Sequence, residues 1–215
     1  MKKIGIIVGV LVLAGLGVVL LRAGVAAPAE LSSVSSDRQE TSFGDLTADA
    51  LCASANTTVA LVTAVSFKPG AIPAQNPTQA QIAGLLQTPE ETWAVSKLTG
   101  AQIRAALELS LGRLPLPSPA FLQVSGLQVK YDPEAPRNQR ITSLQTNTAN
   151  IEDNRQYEVV MPLMLAKGGS GYFQVFDEKN IVRRGSIGLA SLIKGFADSK
   201  GQLNYTGQGR IIVAR

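Results

Sequence analysis

An α+β domain over residues 41–215 is the fold class this sequence predicts, and three observations carry it. Hydrophobic residues recur with the helical period in some segments and with the strand period in others, and the two alternate along the chain. The run Thr57-Thr-Val-Ala-Leu-Val-Thr63 is short, β-branched and almost wholly apolar, as a strand covered on both faces should be. Thr99-Gly-Ala-Gln102 has the form of a capping box, placed where a strand-like run gives way to a helical one.

The elements follow in order. Phe43, Leu46, Thr47, Ala50 and Leu51 lie at helical spacing and predict an amphipathic first helix. The buried strand Thr57–Thr63 comes next. Asn76-Pro77-Thr78 opens a second helix containing Ile82, Leu85 and Leu86, with the proline at its first position. Thr92 to Leu98 alternates and reads as a strand. The capped helix beginning at Thr99 buries Ile103, Ala106 and Leu107 and ends near Gly112. Leu114-Pro-Leu-Pro-Ser-Pro119 is stiff connecting chain. Strands are expected at Leu122–Tyr131, Arg140–Thr146 and Gln156–Met161, a helix at Ser186–Ala197, and a closing strand at Gly209–Val213.

The N-terminal 22 residues read as a membrane element. No charged or strongly polar residue falls between Ile4 and Leu21. A helix of that length reaches about 27 Å, close to the hydrocarbon thickness of a bilayer. Lys2 and Lys3 precede the run and Arg22 alone follows it, so the positive-inside bias puts the N-terminus in the cytoplasm and the domain outside. The alternative is a cleaved signal, for which Gly24-Val-Ala26 and Ala27-Pro-Ala29 supply small-residue sites and which would release the domain as a secreted protein. Residues 23–40 are rich in Ala, Ser, Pro and Gly, lack apolar periodicity, and read as a flexible linker.

Composition narrows the chemistry. The chain has 215 residues, 45% of them hydrophobic, enough for one ordinary core. It contains no histidine. Dinuclear phosphoesterase sites rely on imidazole and carboxylate ligands, and no Asp-x-Asp or Glu-rich cluster offers a substitute, so neither a metal nor a cofactor is expected. The single cysteine, Cys52, has no internal disulfide partner and falls on the apolar side of the first helix, where it reads as a small buried hydrophobe. A net charge of +4 permits contact with anionic headgroups or envelope polymers, but it marks no nucleic-acid site.

Four segments together carry a resemblance. They are Phe43-Gly-Asp-Leu-Thr-Ala-Asp-Ala-Leu51, Leu98-Thr-Gly-Ala-Gln-Ile-Arg-Ala-Ala-Leu-Glu108, Phe121-Leu-Gln-Val-Ser-Gly-Leu-Gln-Val-Lys-Tyr-Asp-Pro133 and Lys167-Gly-Gly-Ser-Gly-Tyr172. In that order and spacing they resemble the C-terminal domain of the 5′-nucleotidase family, the part of those enzymes that grips the nucleoside. The likeness covers about residues 40–215, including the closing Gly-Arg-Ile. It implies a mixed α/β layered domain of that type, here expected to stand alone, without the metallophosphoesterase domain that carries the family's hydrolytic activity.

The resemblance also implies a ligand site. In the family two aromatic rings sandwich the nucleobase, and basic side chains with a glycine-rich loop approach the sugar and phosphates. Phe121 stands where the first ring belongs, Met164 in the place of the second, and Gly168 and Gly169 form the turn after it. Ser170 replaces the aspartate that normally follows. Where the family has Asn-Gly-Gly-Gly-x-Arg this chain reads Thr63-Ala-Val-Ser-Phe-Lys68, so Lys68 offers a point charge in place of a bidentate fork. Thr88-Pro-Glu-Glu-Thr92 replaces a Pro-Phe-Gly-Asn stretch and brings two acidic residues. Each survivor also has a structural explanation: Phe121 as core, Lys68 as a solvated loop residue, Gly168 and Gly169 as turn formers.

Two functions are compatible with these residues. One is a nucleotide-recognition module without a catalytic site of its own, working with a separate metallophosphoesterase chain or binding a nucleotide-like ligand outside the cytoplasm. The other is a non-catalytic scaffold or interaction domain of the cell envelope, with the pocket closed.

Overall fold

The computed structural model describes residues 29–214. The Ile4–Leu21 segment and the first part of the expected linker lie outside them. Among the described residues no helix is long and apolar enough to cross a membrane. The chain runs β1 (Glu30–Ser32), α1 (Ser42–Ala55), β2 (Val59–Thr63), β3 (Ala71–Pro73), α2 (Gln79–Gly84), β4 (Trp93–Thr99), α3 (Gly100–Leu111), β5 (Leu122–Ser125), β6 (Leu127–Tyr131), β7 (Ile141–Thr146), β8 (Gln156–Pro162), α4 (Leu163–Ala166), β9 (Ile181–Arg184), α5 (Leu189–Lys200) and β10 (Ile211–Val213). The mixed α+β class is therefore observed.

A five-stranded sheet in the order β5-β2-β8-β4-β9 forms the centre. Strand β2 runs parallel to β8, while β5 and β4 run antiparallel to their neighbours. Successive residues of a strand point to opposite faces, and that alternation sorts the central side chains into two cores. Ala60, Val62, Val95 and Val160 face a layer containing α1, α2 and α5, where Phe43, Leu46, Ile82, Leu189 and Ile193 pack. Val59, Leu61, Ala94, Leu98, Val159 and Met161 face α3 and the three-stranded sheet β10-β6-β7, against Ile103, Leu107, Val129 and Leu144. Burial on both faces explains why these strands read as continuous apolar runs.

Several boundaries differ from the sequence reading. The stretch from Glu30 to Glu40 is built into the domain, not left as linker: β1 pairs with β3, Leu31 is buried, and the Ser33 hydroxyl donates to the Lys68 carbonyl at 2.6 Å. Pro77 is not the first residue of α2. Thr78 caps that helix by accepting from the Gln81 amide, while the Gln81 side chain accepts from the Thr78 amide at 2.8 Å, so the proline stays one residue outside. The expected strand Leu122–Tyr131 is two strands in two sheets. Gly126 breaks it with φ +71°, and a Cβ there would collide with the Thr58 carbonyl oxygen. The helix expected at Ser186–Ala197 starts later, at Leu189, where Gly188 forms the N-cap. The capping box at Thr99 and Gln102 is present as predicted.

Candidate functional site

The topology brings the expected ligand residues to one end of the central sheet. Strands β2 and β8 both finish there, so Lys68, Met164 and the Gly168–Ser170 turn follow from their carboxyl ends. Strand β5, antiparallel to β2, begins there with Phe121 immediately before it, and β4 begins there just after Glu91. The region beyond the carboxyl ends of strands is where open α/β sheets usually hold ligands.

The side chains do not form a sandwich in this conformation. Phe121 is 1% exposed and belongs to the core on the α3 side of the sheet. Its carbonyl accepts from the Ala64 amide at 2.8 Å, and its amide donates to the Ser118 carbonyl at 3.0 Å. Met164, by contrast, is 63% exposed, and its amide donates to Glu91 Oε1 at 2.9 Å. Burial raises the Glu91 pKa above the usual carboxylate range, against the pull of that hydrogen bond. Lys68 is exposed, while its amide donates to the Leu85 carbonyl.

The glycine turn is a device of backbone conformation. Gly168 and Gly171 have φ of +88° and +89°, and Ser170 sits in the left-handed region at φ +57°. A Cβ at Gly168 would press on the Phe173 backbone at 2.7 Å. The turn delivers Tyr172, wholly buried and stacked on Phe176 with ring centres 5.2 Å apart, into the same core as Phe121. The residue after it, Phe173, is 71% exposed. Sequence reasoning passed over Phe173, because an aromatic beside a turn gives no periodic signal of its orientation.

A cleft of about 460 Å³ opens beside this end of the sheet, lined by Val34, Arg38, Val65, Pro69, Gln87 and Pro119 among others. None of the six expected residues lines it. Its Val65 comes from the segment that stands in for the family's glycine loop; Ala64–Ser66 forms a turn of 3₁₀ helix there and leaves the Val65 side chain half exposed. Arg38, the cation in its lining, is held by its neighbour Asp37 at 3.1 Å.

Two of the recognisable motifs serve the scaffold. Gln123 is buried and clamps the segment before α1: its amide nitrogen donates to the Ser36 and Gln39 carbonyls at 3.0 and 2.8 Å, and its oxygen accepts from the Thr41 amide at 2.9 Å. Any side chain at Gly44 would strike Gln123. The Phe-Gly-Asp and Phe-Leu-Gln-Val motifs therefore interlock. Nearby, Arg210 grips Asp49 in a bidentate pair at 2.8 and 2.9 Å, lies 3.5 Å from Asp45, and donates to the Val124 carbonyl at 2.7 Å. Ser125 and Tyr205 also donate to Asp49, and Glu40 accepts the amides of Arg210 and Ile211. This network fastens the C-terminal strand. Burial pushes the Asp45 carboxyl up to about 9 against the Arg210 charge, with Glu40 and Asp49 adding to the rise. Among the described residues no group of three or more His, Cys, Asp and Glu could hold a metal ion. Cys52 is half-buried against the α1 side of the core, and burial raises its thiol pKa.

Comparisons with known proteins agree with this architecture. The family described as "5′-nucleotidase, C-terminal domain" matches residues 20–178. A 5′-nucleotidase-related protein of Glossina morsitans morsitans is 33% identical over 105 residues, 45% of this chain and 19% of that protein. The snake venom 5′-nucleotidase of Naja atra is 26% identical over 129 residues, 56% of this chain and 24% of that protein. Among solved structures, a 5′-nucleotidase precursor of Thermus thermophilus superposes with a TM-score of 0.76 at 26% identity, over 86% of this chain and 38% of that chain. The NAD nucleotidase of Haemophilus influenzae, with a TM-score of 0.70 at 14% identity over 88% of this chain and 37% of that one, shares the fold. The chain thus spans about a fifth to a quarter of the length of these curated relatives.

Proposed function

Since the chain belongs to the family of the 5′-nucleotidase C-terminal domain, we propose that it is a non-catalytic module of that family. In this reading the Ile4–Leu21 segment holds it to a membrane with the domain outside the cytoplasm; release by signal cleavage is the variant of the same reading. Its nucleoside site is closed, and it docks a partner through the loop end of its central sheet.

One contrast carries the reading. At that end the residue expected to stack a base, Phe121, is in the core, whereas Val34, Val65, Leu116, Met164 and Ile187 are each roughly half exposed or more. Those five come from five separate segments that all reach the same end of the sheet. A nucleotide site needs an accessible ring and unspent positive charge. Large apolar side chains left exposed on several segments at one end of the sheet favour protein contact instead. The partner we propose is a separate metallophosphoesterase chain, because the present sequence has no histidine with which to build a dinuclear site of its own.

A second reading, weak nucleotide recognition, is favoured by the cleft beside Phe121, whose volume falls in the usual range for small-ligand sites. It would use Phe121, Met164, Lys68, Gly168, Gly169 and Ser170 after a rearrangement that exposes the ring.

Titration of AMP, adenosine and UDP-sugars, with an AMP hydrolysis assay in Mn²⁺ or Zn²⁺, separates the two. The expectation is no turnover by this chain alone and affinity no better than about 0.1–1 mM, roughly −4 to −6 kcal/mol. Phe121→Ala should then lose about 3–5 kcal/mol of stability, as a truncated core residue does. Micromolar binding that disappears in Phe121→Ala would establish the recognition reading. Hydrolysis that appears on adding a metallophosphoesterase chain, and is lost in Val65→Asp with Leu116→Asp, is the docking outcome.

A further inference from the structure

The end of the central sheet opposite Lys68 and Met164 has a concave region of its own. Strands β2 and β8 begin there and β5 ends there, which brings Thr58, Tyr157 and Ser125 together from three segments. Two adjoining clefts of about 310 and 290 Å³ open at this end, and Gly126 and Asn147 line both. Together they fall within the size range of small-molecule sites. The backbone builds their shape. Gly126 turns β5 into β6 against the Thr58 carbonyl, and a tight turn joins β7 to the segment before β8. In that turn the Thr146 amide donates to the Ala149 carbonyl at 2.8 Å, and the Thr146 hydroxyl accepts from the Thr148 and Ala149 amides at 3.4 and 3.1 Å. These bonds satisfy the backbone and leave the Asn147 and Asn150 side chains exposed.

The charges in the lining are already paired. Arg210 is engaged by Asp49, whose carboxylate also accepts from Ser125 and Tyr205. Arg155 lies 3.6 Å from Glu152 and covers one face of the Tyr157 ring, 5.5 Å from its centre. The remaining groups are neutral and both donate and accept: the amides of Gln128, Asn147, Asn150 and Gln208, and the hydroxyls of Thr58 and Thr148. Among the described residues no hydrogen bond occupies the side-chain amides of Gln128, Asn147 or Asn150. An anion would need a free cation, and a nucleobase would need an open aromatic face. A peptide would need pockets for its alternate side chains. Carboxamides and hydroxyls in this number instead match a ligand whose surface is made of hydroxyl groups, each a donor and an acceptor at once.

We propose that the two clefts form a binding site for a neutral saccharide. Asn147, which borders both, stands at its centre, with Gln128, Asn150 and Gln208 around it. The Asp49–Arg210 pair is its floor and holds in place the segment that carries Gln208. The site lies at the other end of the sheet from the docking face and does not depend on that reading.

The test uses the full chain in micelles of a detergent without a sugar headgroup. Chitotriose, maltotriose and cellotriose are titrated separately, and binding is read from the amide NMR shifts of Gln128, Asn147, Asn150 and Gln208. At least one of the three should bind with a Kd of about 0.1–5 mM, the strength of several uncharged hydrogen bonds, and leave Lys68 and Met164 unmoved. Asn147→Ala and Gln128→Ala, both at exposed positions, should each weaken binding about threefold to tenfold, the scale of one lost hydrogen bond. No shift in this set with any of the three at about 20 mM would overturn the proposal. Unchanged affinity in both variants, or shifts confined to the Lys68 and Met164 end, would overturn it too. Inorganic phosphate and N-acetyl-tetra-alanine amide serve as competing ligands. Tighter binding of phosphate would mean that Arg155 or Arg210 is available to an anion, and tighter binding of the peptide would make the clefts a peptide groove. Either result defeats the saccharide assignment, and the docking reading stands or falls separately.

Discussion

Replacing Asp45 by asparagine tests whether this family scaffold carries a buried, protonated carboxyl at neutral pH. The Asp45 side chain is almost fully buried on α1, 3.5 Å from Arg210, and its pKa is pushed from 3.8 to about 9. In the unfolded chain the group loses its proton near pH 4, whereas in the folded protein it keeps it until about pH 9. Between those values the folded state binds more protons than the unfolded one, so stability falls as pH rises, by about 1.4 kcal/mol per pH unit. Carried from pH 4 to pH 7, the cost has an upper bound of about 4 kcal/mol. An amide of the same shape does not titrate, and it can donate to the nearby Glu40. Asp45→Asn should therefore stabilise the domain at pH 7 by about 2–4 kcal/mol, or about 5–12 °C in Tm for a domain of this size. The assay is thermal unfolding followed by circular dichroism at pH 5, 7 and 8.5. The wild-type Tm should fall across this series more steeply than that of the variant. Parallel pH profiles together with a lower Tm for Asp45→Asn would refute the reasoning, because they would mean that Asp45 is ionised and contributes a net favourable pair with Arg210.

Two further outcomes are expected. Gly126→Ala should destabilise the domain by about 2–4 kcal/mol, since it combines a positive φ with a Cβ driven into the Thr58 carbonyl; an unchanged urea midpoint would mean that the β5–β6 corner relaxes freely. Protease added to intact spheroplasts should digest the domain while alkaline carbonate leaves it in the membrane pellet. Protection would reverse the orientation argued from Lys2 and Lys3, and recovery of a shortened soluble form would show that the signal is cleaved.

The elements with strong local signals are legible in the amino-acid sequence itself. Thr99 and Gln102 cap α3 because a capping box is a contact between residues three apart, and Val59–Thr63 is a buried strand because an apolar β-branched run has few other uses. The family motifs were legible too, since they are short and ordered. What those motifs do was not. Gln123, Gly44, Asp49 and Arg210 meet across separations of up to 161 residues, and no local period records such contacts.

Position 121 shows the division between sequence and structure. The sequence by itself determined that a phenylalanine stands before β5, beside the Thr63–Lys68 turn and the Gly168–Ser170 turn, and that the fold is a mixed α+β domain of a known family. Both a stacking platform and a core residue were consistent with that placement, because a strand-start aromatic has the same local pattern in either role. Only the tertiary structure decided between them. The short bond from Tyr172 to Ala120 and the packing around α3 put the ring 1% exposed, where removing it from water is worth about 1.5–3 kcal/mol, while Met164 and Phe173 are left on the surface. The same holds for Leu31, whose segment reads as linker by composition. It becomes core because β3, about 40 residues further on, supplies its hydrogen-bonding partner. Local pattern fixes which element a residue belongs to, and the long-range neighbour fixes which way its side chain faces.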